Sequence, residues 1–129
     1  MVEMTVEKLI FMVEESYFSN VDNKNLDATL ACFAPDAELT IQTAHTTHKG
    51  QNEIRRMFHD FMTGTPSIYH GDFTHVVDIK TQCIASQFLA RNENSDGSIV
   101  AMRNCNFFII ENERFKKVNV YMSGKNPLV

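Results

Sequence analysis

The stretch CFAPDAELTIQTAHTTHKG, from Cys32 to Gly50, contains the change from helix to strand that decides the fold. Pro35 disfavours helical backbone at the residue before it, so a preceding helix is predicted to end there. From Glu38 to Thr43 the residues alternate in the manner of a strand buried on one side, with one face formed by Leu39, Ile41 and Thr43. Residues 45–50 are predicted to form a turn or a short second strand.

Helices are predicted on both sides of this stretch. Residues 4–19 carry an apolar stripe at helical spacing. Asp22 is predicted to cap a second helix, in which Leu26, Leu30 and Phe33 share a face. Residues 51–62 form the clearest amphipathic helix, because apolar and charged side chains separate onto opposite faces.

The second half of the chain has the pattern of a β-meander. Long strands joined by tight turns are predicted over residues 72–80, 82–93, 98–111 and 114–122. Helices first and strands after are typical of an α+β domain, in which the helices cover one face of a curved, mainly antiparallel sheet. The length of 129 residues suits one domain with one core, so residues 1–129 are predicted to form a single domain.

Composition and charge exclude several classes of protein. The net charge is −4, and Arg55-Arg56 and Lys116-Lys117 are isolated basic pairs, which argues against nucleic-acid binding. The first residues, MVEMTVEKLIFMVEESY, have acidic residues and an interrupted apolar pattern, so neither a signal peptide nor a membrane span is predicted. A cytoplasmic protein with reduced thiols is predicted from three widely spaced cysteines, Cys32, Cys83 and Cys105.

Three segments carry a resemblance to a known family: YFSNVDNKNLDATLACFAPDAELT (17–40), HKGQNEIRRMFHDF (48–61) and NFFIIENERFKKVNVYMS (106–123). They resemble the SnoaL-like branch of the nuclear transport factor 2-like superfamily. The resemblance implies a cystatin-like cone, with three N-terminal helices on the sheet and a pocket that is open at one end. It also implies a homodimer packed through the outer sheet face, where alternation predicts Phe107, Ile109, Phe115 and Tyr121.

The resemblance also proposes site residues. In ketosteroid isomerases of this fold, a helix tyrosine and a neutral acid bind the substrate oxygen while a strand aspartate moves the proton. These positions fall on Tyr17, Asn106 and Ile41, and Ile41 cannot move a proton. Scytalone dehydratases, which are similar, use pocket histidines with tyrosines and an asparagine, so His75 is the candidate base beside Tyr17 and Asn106.

Each of these residues also has a purely structural interpretation. Tyr17 would then be a core tyrosine whose hydroxyl is satisfied locally, and His75 a solvated residue at a strand edge. Asn106 would hold an ordered water. The alternation of the strands predicts a mostly apolar pocket wall for a small molecule that bears a carbonyl or hydroxyl. The predicted wall comprises Leu39, Ile41, Phe58, Phe61, Met62, Leu89, Asn104, Phe108, Val118, Val120 and Met122.

No cofactor or metal is predicted. No phosphate-binding or dinucleotide fingerprint is present, and His45 and His48 lack a third ligand nearby in the sequence. Two functions remain open. One is a small-molecule binder or a cofactor-independent lyase or isomerase without the strand acid. The other is a non-catalytic, homodimeric protein-interaction module that uses the outer sheet face.

Overall fold

The computed structural model describes residues 3–129 and begins with a long helical run. Helix α1 (Val6–Phe11) continues without interruption into a wide π-helical segment (Met12–Ser19) and the short α2 (Asn20–Asp22). The side chain of Thr5 starts the run by accepting a hydrogen bond from the backbone N–H of Lys8. No helix in residues 3–129 is long and apolar enough to cross a bilayer.

The second predicted helix is shorter than expected. Helix α3 spans Leu26–Leu30, and Asn25, not Asp22, caps it by accepting from the backbone N–H of Ala28. Strand β1 then begins at Phe33, so the prediction that Pro35 ends the helix is wrong. Pro35 lies at an irregularity in the pairing of β1, where its missing N–H removes no ladder hydrogen bond.

Within residues 3–129, six strands form one sheet in the order β2-β1-β6-β5-β4-β3. Only β1 and β6 pair in parallel, so the predicted mainly antiparallel α+β fold is confirmed. Helix α4 (Gly50–Gly64) turns its apolar side, centred on Ile54 and Phe58, into the core. The strand bounds are β1 Phe33–Ile41, β2 Thr46–Lys49, β3 Ser67–Asp78, β4 Cys83–Glu93, β5 Ile99–Glu111 and β6 Arg114–Tyr121.

One irregularity between β5 and β6 changes which face Phe115 occupies. Ile109 lies opposite Lys117 while Ile110 lies opposite Phe115, so Lys116 is one residue too many for simple alternation. Phe115 is therefore fully buried in the core, and its predicted place on the outer face is wrong. Phe107 and Tyr121 are exposed to 40% and 46% and remain on the outer face.

Candidate functional site

A small central cavity lies between the π-helical segment, α4, the inner sheet face and residues 122–128. Its free volume is about 30 Å³, which is room for one or two water molecules. The apolar part of the wall consists of Phe18, Val21, Phe58, Phe61, Phe88, Ala90, Met102, Val120, Met122, Pro127 and Leu128. The polar side chains at the wall are Tyr17, His70, Asn92, Asn104 and Asn106.

Tyr17 is held in the wall by an aromatic cluster. Its ring lies 4.7–6.1 Å, centroid to centroid, from the rings of Phe18, Phe33, Phe58, Phe108 and Phe115. Burial, helped by the nearby Cys32 and Asp22, raises the pKa of Tyr17 far above its usual value. The hydroxyl is therefore a neutral hydrogen-bond donor at any physiological pH.

Asn106 places an amide on the inner face of β5. The residue is buried, and its Oδ1 has no hydrogen-bond partner within residues 3–129. The neighbouring inner-face amide, Asn104, differs, because its Oδ1 accepts from the backbone N–H of Ser123 at 3.1 Å. Asn106 thus keeps hydrogen-bonding capacity that the fold does not use, next to the cavity.

His70 also lines this cavity. Asp22 makes two hydrogen bonds with His70. One carboxylate oxygen lies 2.6 Å from Nδ1 of the ring, and the other accepts from the His70 backbone N–H at 2.9 Å. A carboxylate only accepts here, so Nδ1 carries the proton and Nε2 is the acceptor of the neutral ring. The ring is fixed further by Phe18, whose centroid lies 4.6 Å away.

His75, the base predicted from the sequence, is placed differently. It does not line the central cavity. Its Nε2 lies 2.5 Å from a carboxylate oxygen of Glu14, and its Nδ1 lies 2.8 Å from the hydroxyl of Ser86. Both ring nitrogens are therefore engaged, which leaves no free lone pair for a substrate.

The structure brings together only part of the predicted wall. Tyr17 and Asn106 meet at the cavity with five other predicted residues, Phe58, Phe61, Asn104, Val120 and Met122. Leu89 lies on the outer face, because β4 presents Phe88 and Ala90 inward on either side of it. The others are buried in the core without lining the cavity: Leu39, Ile41, Met62, Phe108 and Val118.

Sequence reasoning missed His70, Asp22 and Asn92. Strand β3 begins at Ser67, five residues before the predicted start, so His70 is a strand residue and not part of a preceding loop. Asp22 has the spacing of a helix cap, and its partner lies 48 residues away. Asn92 lies on the inner face of β4 with Ala90, two residues before it. The alternation of this strand was the sequence signal that could have identified Asn92.

The segment after β6 forms one side of the cavity wall. Pro127 and Leu128 form its wall there, and Leu128 is buried. The backbone carbonyl of Leu128 lies 3.1 Å from Nε2 of the buried His48, and Arg56 donates to the carbonyl of Val129 at 3.0 Å. Hydrogen bonds that involve side chains, and not a sheet ladder, hold this segment in place.

Cys32 and the potential metal ligands in residues 3–129 do not add a second site. Burial raises the pKa of the Cys32 thiol to about 11, so it is a neutral thiol and a poor nucleophile near pH 7. Within residues 3–129, no group of three or more His, Cys, Asp or Glu side chains is arranged to hold a metal ion.

Helices laid on a curved sheet around a small cavity define the class of nuclear transport factor 2-like cones. The chain belongs to the SnoaL-like domain family, whose model matches residues 15–118. No curated protein is significantly similar to it in sequence.

Solved structures with the same fold include enzymes. One is SalBIII, an epoxide hydrolase/cyclase-like enzyme with a role in pyran-ring formation in the polyether salinomycin. It has a TM-score of 0.80 at 16% identity, and the match covers 91% of this chain and 92% of the SalBIII chain. BvnE pinacolase from Penicillium brevicompactum has a TM-score of 0.79 at 12% identity, with coverage of 93% and 88%. AusH from Aspergillus nidulans has a TM-score of 0.80 at 9% identity, with coverage of 95% and 88%. At these identities the similarity establishes the fold alone.

Proposed function

We propose that this protein is a cofactor-independent enzyme of isomerase or lyase type, which moves a proton on a small, mostly apolar carbonyl compound. The observation that carries the proposal is His70, held by Asp22 at the wall of an apolar cavity that Tyr17 and Asn106 also line. A fixed base and oxygen-binding donors around one apolar space are the parts that such a reaction needs.

In the proposed reaction, Nε2 of His70 removes a proton from the carbon next to the substrate carbonyl. The electron pair of the broken C–H bond moves onto the carbonyl oxygen, where Tyr17 stabilises the enolate by donating a hydrogen bond. Asp22 keeps Nδ1 protonated and stabilises the imidazolium that forms, then the same proton returns to another atom of the substrate. The chemistry requires no cofactor.

Asn106 is proposed to bind the substrate beside Tyr17. Its amide offers an N–H donor to the enolate oxygen and an oxygen that accepts from a substrate hydroxyl. The predicted catalytic set therefore keeps Tyr17 and Asn106, and His70 replaces His75 as the base because both nitrogens of His75 are engaged. His75 instead tethers β3 to Glu14 of the π-helical segment.

A substrate has to enlarge the cavity, since about 30 Å³ holds no organic molecule of useful size. Outward movement of Leu128 and Pro127 would open the space between α4 and the sheet, at the cost of the His48 and Arg56 contacts. The wall exposed in this way is largely aromatic and contains Met102 and Met122, and it suits a flat or cyclic apolar substrate.

The direct test is hydrogen exchange on a simple ketone. The protein should speed the exchange of the acidic α-protons of 2-tetralone in D₂O above the buffer rate, and proton NMR follows the loss of signal. Exchange no faster than with an equal concentration of an unrelated protein would remove the case for an enzyme. The interaction-module alternative would then account better for the fold.

Binding at Tyr17 can be tested without turnover. The phenol 2-naphthol imitates an enolate, and its affinity should fall several-fold in Tyr17→Phe, which removes only the hydroxyl, because one hydrogen bond contributes about 0.5–1.5 kcal/mol. Calorimetric titration measures the change. Phe11→Leu, a substitution on the exposed side of α1, is the control and should leave the affinity unchanged. Equal affinities of wild type and Tyr17→Phe would show that the hydroxyl does not face the ligand.

We further propose a homodimer through the outer sheet face. Phe107, Tyr121 and Val76 are exposed to 40%, 46% and 72% in the single chain, and stable dimers bury roughly 800 Å² or more per partner. Sedimentation at micromolar concentration should give a dimer, and Phe107→Asp should shift it toward monomer. A wild-type monomer under these conditions would contradict the proposal.

A further inference from the structure

A second buried amide with an unpartnered oxygen lies in the cavity wall, on the side of His70 that is away from Asn106. Asn92 is on the inner face of β4, two residues beyond Ala90, which pairs with His70 of β3. Ser86, the cross-strand partner of Asn106, is six residues back along the same strand, or roughly 20 Å of extended chain. Along the strands, Asn92 and Asn106 therefore lie on opposite sides of the position of His70.

Asn92 is buried in a way that the fold does not explain. The residue is only 5% exposed, and its Oδ1 has no hydrogen-bond partner within residues 3–129. An unsatisfied buried carbonyl destabilises a protein, and an apolar side chain of similar size would avoid that loss. Asn104, by contrast, has a structural use, because its Oδ1 accepts from the backbone N–H of Ser123.

We propose that Asn92 is a specificity-determining residue, which accepts a hydrogen bond from a hydroxyl or N–H group at the end of the substrate remote from the carbonyl oxygen. This inference rests on the proposed function, since it assigns the substrate class of the same cavity. The substrate is then an elongated, largely apolar carbonyl compound with a hydrogen-bond donor at its far end. Phe88, Ala90 and Met102 line the apolar stretch between the two polar ends.

A series of para-substituted phenols tests the assignment. The phenol end occupies the Tyr17 and Asn106 end, and the para chain ends either in a hydroxyl or in a methyl group of similar size. We expect the hydroxyl compound to bind more tightly than its methyl partner by roughly three- to tenfold at one chain length, because the donor reaches Asn92 only there. Calorimetric titration gives both affinities for each length.

Two variants separate the role of Asn92 from a change of shape. Asn92→Leu should abolish the hydroxyl preference while the methyl compounds bind at least as well as before. Met102→Leu changes an apolar wall residue in the stretch between the two polar ends and should keep the preference. If wild type shows no hydroxyl preference at any length although the phenols bind, the inference fails and the proposed function stands. If no phenol binds at all, the proposed cavity itself fails.

A stability measurement gives an independent readout. Without ligand, Asn92→Leu should raise the melting temperature by a few degrees, since it removes an unsatisfied buried amide oxygen. A lower melting temperature, together with an unchanged hydroxyl preference, would show that Asn92 has a structural role within the folded chain, which contradicts the inference.

Discussion

Replacing His70 by glutamine is expected to lower the rate of α-proton exchange on 2-tetralone by about 10²- to 10⁴-fold, the usual contribution of a positioned general base. Glutamine can still donate to Asp22, so the wall keeps its shape while the basic nitrogen is lost. The measurement is the initial exchange rate by proton NMR at pH 7, with the melting temperature of each variant recorded to exclude unfolding.

His75→Gln is the matched control for this prediction. Both histidines are on β3 and both contact a carboxylate, but the ring nitrogens of His75 are occupied by Glu14 and Ser86. Its replacement should change the exchange rate by no more than a few-fold at a temperature where the variant is folded. The opposite ranking, with His75→Gln inactive and His70→Gln active, would return the base to the residue favoured by sequence alone.

Asp22→Asn tests whether the carboxylate positions the base. The amide can still accept from the His70 backbone N–H, but it no longer favours the tautomer with the proton on Nδ1 or stabilises the imidazolium. The rate at saturating ketone should fall while the KM changes little. A change in KM alone would assign Asp22 to substrate binding or to the local fold.

Phe115→Ala should have the largest effect on stability, lowering the free energy of unfolding by about 3–5 kcal/mol. Phe115 is fully buried against Tyr17, Phe33 and Phe108, with ring centroids 4.7–5.4 Å away. Truncation leaves a cavity in this aromatic cluster, which relaxes only partly. Urea denaturation at unchanged m-value measures the difference.

The control for Phe115 is the same substitution at Phe11, which is 61% exposed on α1. Phe11→Ala should lower the free energy of unfolding by less than about 1 kcal/mol, as for surface substitutions in general. If Phe115→Ala prevents folding, Phe115→Leu is the milder variant and should still be clearly less stable than wild type. Equal costs at Phe115 and Phe11 would contradict the irregular pairing of β5 with β6.

Local sequence patterns were enough to predict the class of the fold. The helical stripe of residues 51–62 predicts α4 because one face must leave water, and the turn residues after Glu93 and Glu111 predict the two hairpins of the meander. These signals involve residues within a few positions of one another, so a single sequence contains all of their information. The resemblance to SnoaL-like proteins then led to Tyr17 and Asn106, and both line the cavity.

Which face of the sheet a strand residue occupies could be predicted only as far as the first irregularity in strand pairing. Lys116 is an extra residue of β6 in its pairing with β5. The β6 residues before it therefore change face, and Phe115 enters the core. Leu89 shows the same dependence on register, since a shift of one residue exchanges the inner and outer faces of a strand. The pairing geometry decides which face each residue occupies, and this geometry depends on two strands together.

The sequence alone determined a helix-and-meander domain with Tyr17 and Asn106 on its inner surface. Only the tertiary structure decided which histidine faces the cavity, because Asp22 and Glu14 reach His70 and His75 across 48 and 61 residues of chain. Hydrogen bonds between residues so far apart in the chain produce no residue pattern by which a single sequence would reveal them. The role of a side chain in this protein therefore follows from its distant partners, which exist only once the sheet has curved around the helices.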